Sequence, residues 1–188
     1  MAKIYLFRHG QSEFNLKKIF TGWKDPDLTE LGVEQAKFLG ELLKDKKIDL
    51  AYRSRLIRSK KTLEEILKFH PECREIIVDD RMIERSYGDL AGQNHQKIID
   101  EFGQEQFDKW HRGWNDRPPN GESFADVEIR VKKFIDDLKD KYAKKDIGIA
   151  ISAHGNSIRL FRKIMEQATI EKTCNWTIGY DVFFEYEI

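Results

Sequence analysis

The sequence predicts an α/β protein with a single three-layer α/β/α domain and a mostly parallel central sheet. Short apolar segments that suit strands alternate along the chain with longer segments of helical periodicity. The 188 residues suffice for one domain with one main core. No internal repeat, low-complexity tract or linker divides the chain. We therefore interpret residues 1–188 as one domain.

The first half of the chain alternates strands with helices. Residues Lys3–Phe7 become continuously apolar and suit a central strand, and Leu50–Arg53 and Glu75–Asp79 suit two more. Helix-start signals at Asp27–Thr29 precede a helix that runs to about Lys44. The two helices between these strands are predicted from apolar faces, formed by Leu31, Phe38, Leu39, Leu42 and Leu43 and then by Leu56, Leu63, Ile66 and Leu67.

The segment Asp80–Asn120 breaks this pattern with several glycines and a Pro-Pro pair. Two short helices are predicted inside it, near Gln96–Phe102 and Gln104–Trp114. Because it lies between regular α/β units, we interpret residues 80–120 as a cap over the site rather than a second domain.

The last third of the chain returns to regular elements. Ser123 begins the longest predicted helix, with Asp126 three residues after this candidate cap. Ile147–Ser152 predicts a buried strand that is followed by another helix, and Val182–Tyr186 predicts a final edge strand.

Composition excludes several classes of function. Lysine plus arginine balance aspartate plus glutamate at 33 each, which is unlike a nucleic-acid-binding protein with a basic face. No segment approaches the roughly 18 apolar residues that a membrane span needs, so no membrane partner is expected. Cys73 and Cys174 form no metal-binding spacing, and we expect free thiols in a reducing cytoplasm, with a disulfide as the alternative.

Charged and titratable side chains follow the predicted strands. His9 and His154 each come directly after a strand, Arg58 opens the helix after the second strand, and Glu84 follows the third. In α/β sheets, ligands bind beyond the carboxyl ends of the strands. Arginine binds phosphate oxygens with a planar fork of donors, so the set suits a phosphate site. A single histidine after a strand is more often structural; the combination is what favours catalysis.

The chain resembles the histidine phosphatase superfamily and, within it, the cofactor-dependent phosphoglycerate mutases. The resemblance runs from Ile4 to about Leu160. It is carried by a series of ordered blocks, namely Arg8–Asn15, Phe20–Trp23, Asp27–Gly32, Ser54–Arg58, Glu84–Gly88, Gly121–Ser123 and His154–Ser157.

The resemblance implies a role for each matching residue. It implies that His9 is a nucleophile that carries phosphate and that Arg8, Arg58 and His154 bind the transferring phosphoryl group. Glu84 would be the general acid and base, the alternative being a surface ion pair with Arg85. The further substrate-binding positions that it implies are Asn15, Thr21, Gly22, Tyr87, His95, His111, Arg112, Gly155 and Asn156.

The resemblance implies either a mutase or a phosphatase. A mutase, primed by 2,3-bisphosphoglycerate, is favoured by Phe20–Trp23 and by Phe102–Trp110. Against it, His95 and His111 stand where mutases usually carry lysine and arginine, so two permanent cations become titratable. The long insertion typical of mutases before Pro118 is also missing. The sequence thus leaves a phosphatase as the alternative.

Other classes of function fit the residues less well. An inactive binding scaffold would be expected to lose His9, Glu84 or His154, and this chain keeps all three. A metal hydrolase is disfavoured because no HExxH motif or carboxylate cluster occurs, and we expect no metal. The expected partner is a small phosphorylated metabolite, and a homo-oligomer is left open.

Overall fold

The computed structural model describes residues 1–188 and contains one five-stranded sheet. The strand order is β3-β2-β4-β1-β5, in which the first four strands are parallel and the last is antiparallel. The strands are β1 (Lys3–Arg8), β2 (Leu50–Arg53), β3 (Glu75–Val78), β4 (Gly148–Ala153) and β5 (Phe183–Glu187).

Eight α-helices connect and flank these strands. Two of them, the first and the last in chain order, are short helices that the sequence patterns did not predict. The helices are α1 (Glu13–Leu16), α2 (Glu30–Leu43), α3 (Ile57–Leu67), α4 (His95–Phe102), α5 (Gln104–Arg112), α6 (Phe124–Tyr142), α7 (Gly155–Glu166) and α8 (Ile170–Asn175).

Each face of the sheet carries its own apolar cluster, which confirms the predicted three-layer α/β/α arrangement. One cluster joins the sheet to α6 and α7 through residues such as Phe134 and Phe161. The other joins it to α2 and α3 through residues such as Leu39 and Leu63. No helix in the structure is long and apolar enough to cross a membrane.

Only part of the apolar face predicted for α2 is buried. Leu39 and Leu43 are buried, whereas Leu31, Phe38 and Leu42 are about half exposed. The side of the helix that packs inward instead carries small residues, namely Gly32, Ala36 and Gly40. Small residues allow α2 to approach its neighbours closely, and this rotates the larger apolar side chains toward solvent.

Capping side chains fix where the main helices begin. Thr29 accepts a hydrogen bond from the Gly32 amide at the start of α2. Ser123 and Asp126 form a reciprocal capping box at the start of α6, as the sequence predicted.

The sheet topology brings two distant parts of the chain together. Strands β1 and β4 are parallel neighbours, and their registers end with Arg8 opposite Ala153. The residues that follow these strands, His9 and His154, therefore lie side by side at the same edge of the sheet. Arg58 reaches the same edge from the first turn of α3, which follows the neighbouring strand β2.

Residues 80–120 contain α4, α5 and two short 3₁₀ turns. The helix predicted for Gln104–Trp114 ends two residues early, at Arg112. Phe107 of α5 and Ile98 of α4 pack with Phe20 and Tyr87 in a third, smaller apolar cluster. This cluster joins the segment to the loop that follows β1, and it places α4 and α5 beside the sheet edge that carries His9.

Candidate active site

A cavity of about 240 Å³ opens at the carboxyl ends of β1 and β4. His154 is not part of its wall but stacks beside His9, with ring centroids 4.9 Å apart. The cavity wall includes every other site residue predicted from the sequence: Arg8, His9, Asn15, Thr21, Gly22, Arg58, Glu84, Tyr87, His95, His111, Arg112, Gly155 and Asn156.

One ring nitrogen of His9 is unprotonated and can act as a nucleophile. Its Nδ1–H donates to the Gly10 carbonyl oxygen at 2.7 Å, and its Nε2 accepts from Arg58 Nε at 3.2 Å. Burial, followed by the positive charges of Arg58 and Arg8, lowers the pKa of His9 well below its usual value. The imidazole is therefore neutral at physiological pH, with its Nε2 lone pair directed at the arginine.

Gly10 follows His9 at a position where the chain packs closely against α2. A Cβ at Gly10 would meet the carbonyl oxygen of Gly32 at 2.1 Å. The glycine therefore lets the loop after β1 pass directly against the first turn of α2. Thr62 of α3 accepts a hydrogen bond from the Gly10 amide and fixes the loop on its other side.

Backbone carbonyl groups hold both arginines beside His9. Arg58 donates to the carbonyl oxygens of Lys24 and Gly22, each at 2.9 Å. Arg8 donates through Nη1 to the Ile178 carbonyl oxygen at 2.8 Å, and its guanidinium lies 4.1 Å from the centre of the Tyr180 ring. Carbonyl partners do not neutralise the arginines, and the one ion pair here, between Arg58 and Asp25, is long at 3.9 Å, so both guanidinium groups can still attract an anion.

His154 is fixed by Ser54, whose Oγ lies 2.8 Å from its Nε2. Burial and the charge of Arg58 lower the pKa of His154 well below its usual value. Its Nδ1 is buried without a hydrogen-bond partner, and so is the Nε of Arg8. Buried polar atoms normally have partners, and because Arg8 lines the cavity, its unpartnered Nε indicates a place for an oxygen atom of a ligand.

Glu84 is the one carboxylate in the cavity wall. It is 8% exposed and forms no ion pair, so the alternative of a surface pair with Arg85 is wrong. Its Oε1 accepts from the backbone amides of Arg85, at 2.7 Å, and of Asn156, at 3.2 Å. The second amide belongs to the first turn of α7, where a carboxylate is favoured by the helix dipole.

Three smaller contacts shape the remaining wall of the cavity. The Asn15 side-chain oxygen accepts from Ser12 in the capping box of α1, which leaves the Asn15 amide hydrogens for a ligand. Thr21 donates to the Ile19 carbonyl oxygen at 3.3 Å. Asn156 donates through Nδ2 to the Tyr87 hydroxyl at 3.2 Å.

His95 and His111 form an uncharged aromatic wall with Phe20 on the cap side of the cavity. Phe20 stacks on His95 with centroids 4.3 Å apart, and the two imidazoles are 5.3 Å apart. Burial is the main cause of both pKa shifts. It lowers the pKa of His95, and it lowers the pKa of His111 to about 3. His111 is therefore neutral at physiological pH in the free protein, and the lowered pKa of His95 favours its neutral form.

The cavity also contains residues that sequence reasoning missed. Arg159 lies one helical turn after Gly155, so the helical repeat could have placed it on the same face. Lys18 follows α1 in a left-handed conformation, with φ of 52°, which no sequence signal indicates. Tyr180 comes from the segment between α8 and β5, far along the chain from every other motif.

A family model, the histidine phosphatase superfamily (branch 1), matches residues 4–181. The chain belongs to this superfamily of enzymes, as the sequence blocks predicted. It is 38% identical to the 2,3-bisphosphoglycerate-dependent phosphoglycerate mutase of Sinorhizobium fredii, over 98% of this chain and 89% of that protein. It is 41% identical to the mutase of the same name from Bartonella tribocorum, over 87% and 81%.

Solved structures share the fold at lower identity. Bacillus stearothermophilus YhfR superposes with a TM-score of 0.89 at 25% identity and covers 100% of this chain and 92% of its own. A putative alpha-ribazole-5'-P phosphatase from Escherichia coli has a TM-score of 0.85 at 23% identity, with coverages of 100% and 91%. These likenesses confirm the fold.

Proposed function

We propose that this protein is a 2,3-bisphosphoglycerate-dependent phosphoglycerate mutase that interconverts 3-phosphoglycerate and 2-phosphoglycerate through a phosphohistidine at His9. The observation that carries the proposal is the neutral His9, whose unprotonated Nε2 lies among arginines that have no acidic partner at hydrogen-bond distance. The identity of about 40% to proteins named as such mutases supports the choice among the superfamily's reactions.

In the first half-reaction, the Nε2 lone pair of His9 attacks phosphorus. The Nε2–P bond forms while the bond from phosphorus to the leaving oxygen breaks. Arg8 and Arg58 neutralise the charge that builds on the three equatorial oxygens. Glu84, in its protonated form, gives its proton to the leaving oxygen.

The second half-reaction reverses these roles on a different oxygen. The ionised Glu84 takes the proton from the acceptor hydroxyl, whose oxygen attacks phosphorus while the Nε2–P bond breaks. The phosphoryl group needed to start the cycle would come from 2,3-bisphosphoglycerate, the proposed primer. Arg8 lines the cavity, and its unpartnered Nε fits an oxygen of such a phosphoryl group.

A phosphatase that uses the same phosphohistidine is the second candidate. The uncharged wall formed by His95 and His111 favours it, because a substrate with several negative charges gains less there than from permanent cations. In this case water replaces the glycerate hydroxyl as acceptor. The expected partner in either case is a small phosphorylated metabolite. Two free cysteines suit a reducing cytoplasm as the location of either enzyme.

One assay separates the two candidates. Turnover of 3-phosphoglycerate would be measured with and without 2,3-bisphosphoglycerate, and free phosphate would be measured in the same samples. A mutase produces 2-phosphoglycerate that depends on the bisphosphate and releases little phosphate. Phosphate release without isomerisation would replace the mutase proposal with the phosphatase.

The same assay tests the proposed independence from metals. Arginine and histidine donors supply the charge neutralisation in this mechanism, so EDTA should leave the rate unchanged. Vanadate resembles the five-coordinate transition state and should inhibit well below substrate concentrations. An activity that vanished with EDTA and returned with magnesium would contradict the mechanism.

A further inference from the structure

Arg159 is a buried cation that reaches the cavity without an acidic partner. It is 7% exposed and lies one turn into α7. Its Nε donates to the Trp176 carbonyl oxygen and its Nη1 to the Asn156 side-chain oxygen, each at 2.9 Å. Its Nη2 makes no hydrogen bond within the protein, so two fixed donors orient the guanidinium and leave one side of it for a ligand.

Arg112 brings a second unpaired guanidinium to the same cavity from the end of α5. Its side chain forms neither a hydrogen bond nor a salt bridge. Burial is the main cause that lowers the pKa of Arg159 to about 9, and repulsion from Arg112 and Arg8 comes next. Like charges held close together at low dielectric destabilise each other, and a bound anion removes that cost.

The charge of the whole cavity indicates more than one anionic group on the ligand. Five permanently basic side chains face a single carboxylate, that of Glu84; they are Arg8, Lys18, Arg58, Arg112 and Arg159. Arg8 and Arg58 lie beside His9 and suit the phosphoryl group. Arg159 lies near Arg8, since both guanidinium groups approach Gly155, but the charge of Arg112 acts on it more strongly, so Arg112 and Arg159 remain for a second group.

We propose that Arg159 joins Arg112, which the resemblance already implies to be a substrate-binding residue, in a second anion-binding position that holds the carboxylate of the phosphoglycerate. This inference rests on the proposed function and deepens it, because it assigns a substrate-binding role to Arg159. The planar guanidinium suits a carboxylate. Arg159 thereby supplies the permanent charge that the neutral His95 and His111 do not.

The test compares two ligands that differ at one group. In 3-phosphoglycerate a carboxylate stands where glycerol 3-phosphate has a hydroxymethyl group, and the phosphate is the same. Calorimetry would measure the binding of each ligand to the wild type, to Arg112→Gln and to Arg159→Gln. Each variant should bind 3-phosphoglycerate about ten- to hundredfold more weakly, the size of a charge-assisted hydrogen bond, and glycerol 3-phosphate less than about threefold more weakly.

The controls separate binding from folding. Arg112→Gln loses no hydrogen bond, so it tests the site even if Arg159→Gln disturbs the carbonyl of Trp176. Arg117→Gln removes an exposed arginine that pairs with Asp126 outside the cavity and should leave both affinities unchanged. An equal loss for both ligands, or no loss for either, would overturn the inference.

The outcome is distinct from that of the mutase assay. A protein that only releases phosphate, but that distinguishes the two ligands through Arg159, would refute the mutase and retain the second anion position. A protein that isomerises phosphoglycerate, but whose Arg112 and Arg159 variants bind both ligands like the wild type, would retain the mutase and refute the second anion position.

Discussion

The two ends of the cavity are built in opposite ways. At the phosphoryl end, His9, Arg58 and His154 are at most 2% exposed, and each is fixed by hydrogen bonds to neighbouring groups. The opposite end is called the cap end, because His95 and His111 belong to segment 80–120. These two imidazoles pack against aromatic rings and make no side-chain hydrogen bond. The side chains at the phosphoryl end are thus fixed by hydrogen bonds, whereas the imidazole rings at the cap end are positioned by packing.

The difference assigns separate tasks to the two ends. Preorganised donors stabilise a transition state without reorganisation at the moment of reaction, which suits the phosphoryl end. Packed rings without hydrogen bonds set the shape and polarity of a cavity, which suits the choice of substrate. Changes at the phosphoryl end should therefore affect the rate, and changes at the cap end should affect which ligand binds.

The largest effect is expected from removal of the nucleophile. His9→Ala should lower the rate by roughly 10⁴-fold or more, because no other imidazole nitrogen occupies its position. Brief exposure to a phosphorylated substrate should label the wild type with an acid-labile, alkali-stable phosphate. The label should be absent from His9→Ala.

The neighbouring histidine provides the matched control for this experiment. His154→Ala should impair turnover strongly but keep the attachment point, since the Nδ1–H of His9 still donates to Gly10. Equal labelling of His9→Ala and the wild type would show that phosphate is carried elsewhere and would remove the distinction between the two ends.

The phosphoryl end could be predicted because the topology dictates it. Residues that follow parallel strands lie at the same edge of a sheet, so His9 and His154 could be assigned to one edge from the sequence, and the structure adds that their strands are direct neighbours. The sequence could not show that Ser54 and the Gly10 carbonyl fix the two rings. These contacts depend on loop conformations that have no periodic signal.

The cap end was predicted less well, and for a physical reason. Segment 80–120 and its two helices could be recognised, but the charge of His95 and His111 could not. An imidazole's charge depends on its burial and on neighbouring cations, and Phe20 and Arg112 reach it from different elements. Tyr180 and Lys18 were missed because they enter the cavity from irregular segments.

Acid should destabilise the protein chiefly through the phosphoryl end. The folded-state pKa values of His9 and His154 are lowered, so both are neutral in the folded protein and protonated in the unfolded one below about pH 6.5. Stability is then complete above pH 6.5 and is lost as pH falls toward the folded-state values. Each histidine contributes a slope of roughly 1.4 kcal/mol per pH unit within that window.

Urea unfolding between pH 4.5 and 7.5 measures this slope. The variant His9→Asn with His154→Asn should flatten it more than His95→Asn with His111→Asn, because His95 is only partly buried. A slope that is unchanged in the first variant would mean that the two rings at the phosphoryl end are not held neutral, and the contrast between the ends would fail.

A gain of charge at the cap end should change affinity. His95→Lys with His111→Arg places two permanent cations where neutral imidazoles stand, and we expect 2,3-bisphosphoglycerate to bind about tenfold more tightly. Because the wild-type His111 has a pKa of about 3, the gain should be similar at pH 6.5 and pH 8. A gain that appears only at the higher pH would show that the wild-type histidines are already charged at pH 6.5.

The ratio of isomerisation to hydrolysis in the variant His95→Lys with His111→Arg also tests the comparison between the two ends of the cavity. If the cap end chooses the substrate, the double variant should raise this ratio, since a bound glycerate competes better with water for the phosphohistidine. A variant that gains only hydrolysis would indicate that the cap end controls neither the ligand nor the acceptor.

The smallest effect is expected at Tyr180, which belongs to neither end. Its ring lies 4.1 Å from the Arg8 guanidinium and also lines an outer groove with Leu31 and Phe38. A cation–π contact contributes about 0.5–2 kcal/mol, so Tyr180→Ala should lower kcat/KM several-fold by loosening Arg8, mostly through kcat. Tyr180→Phe keeps the ring and should behave like the wild type. An equal loss in Tyr180→Phe and Tyr180→Ala would instead assign the effect to the hydroxyl group and separate Tyr180 from the positioning of Arg8.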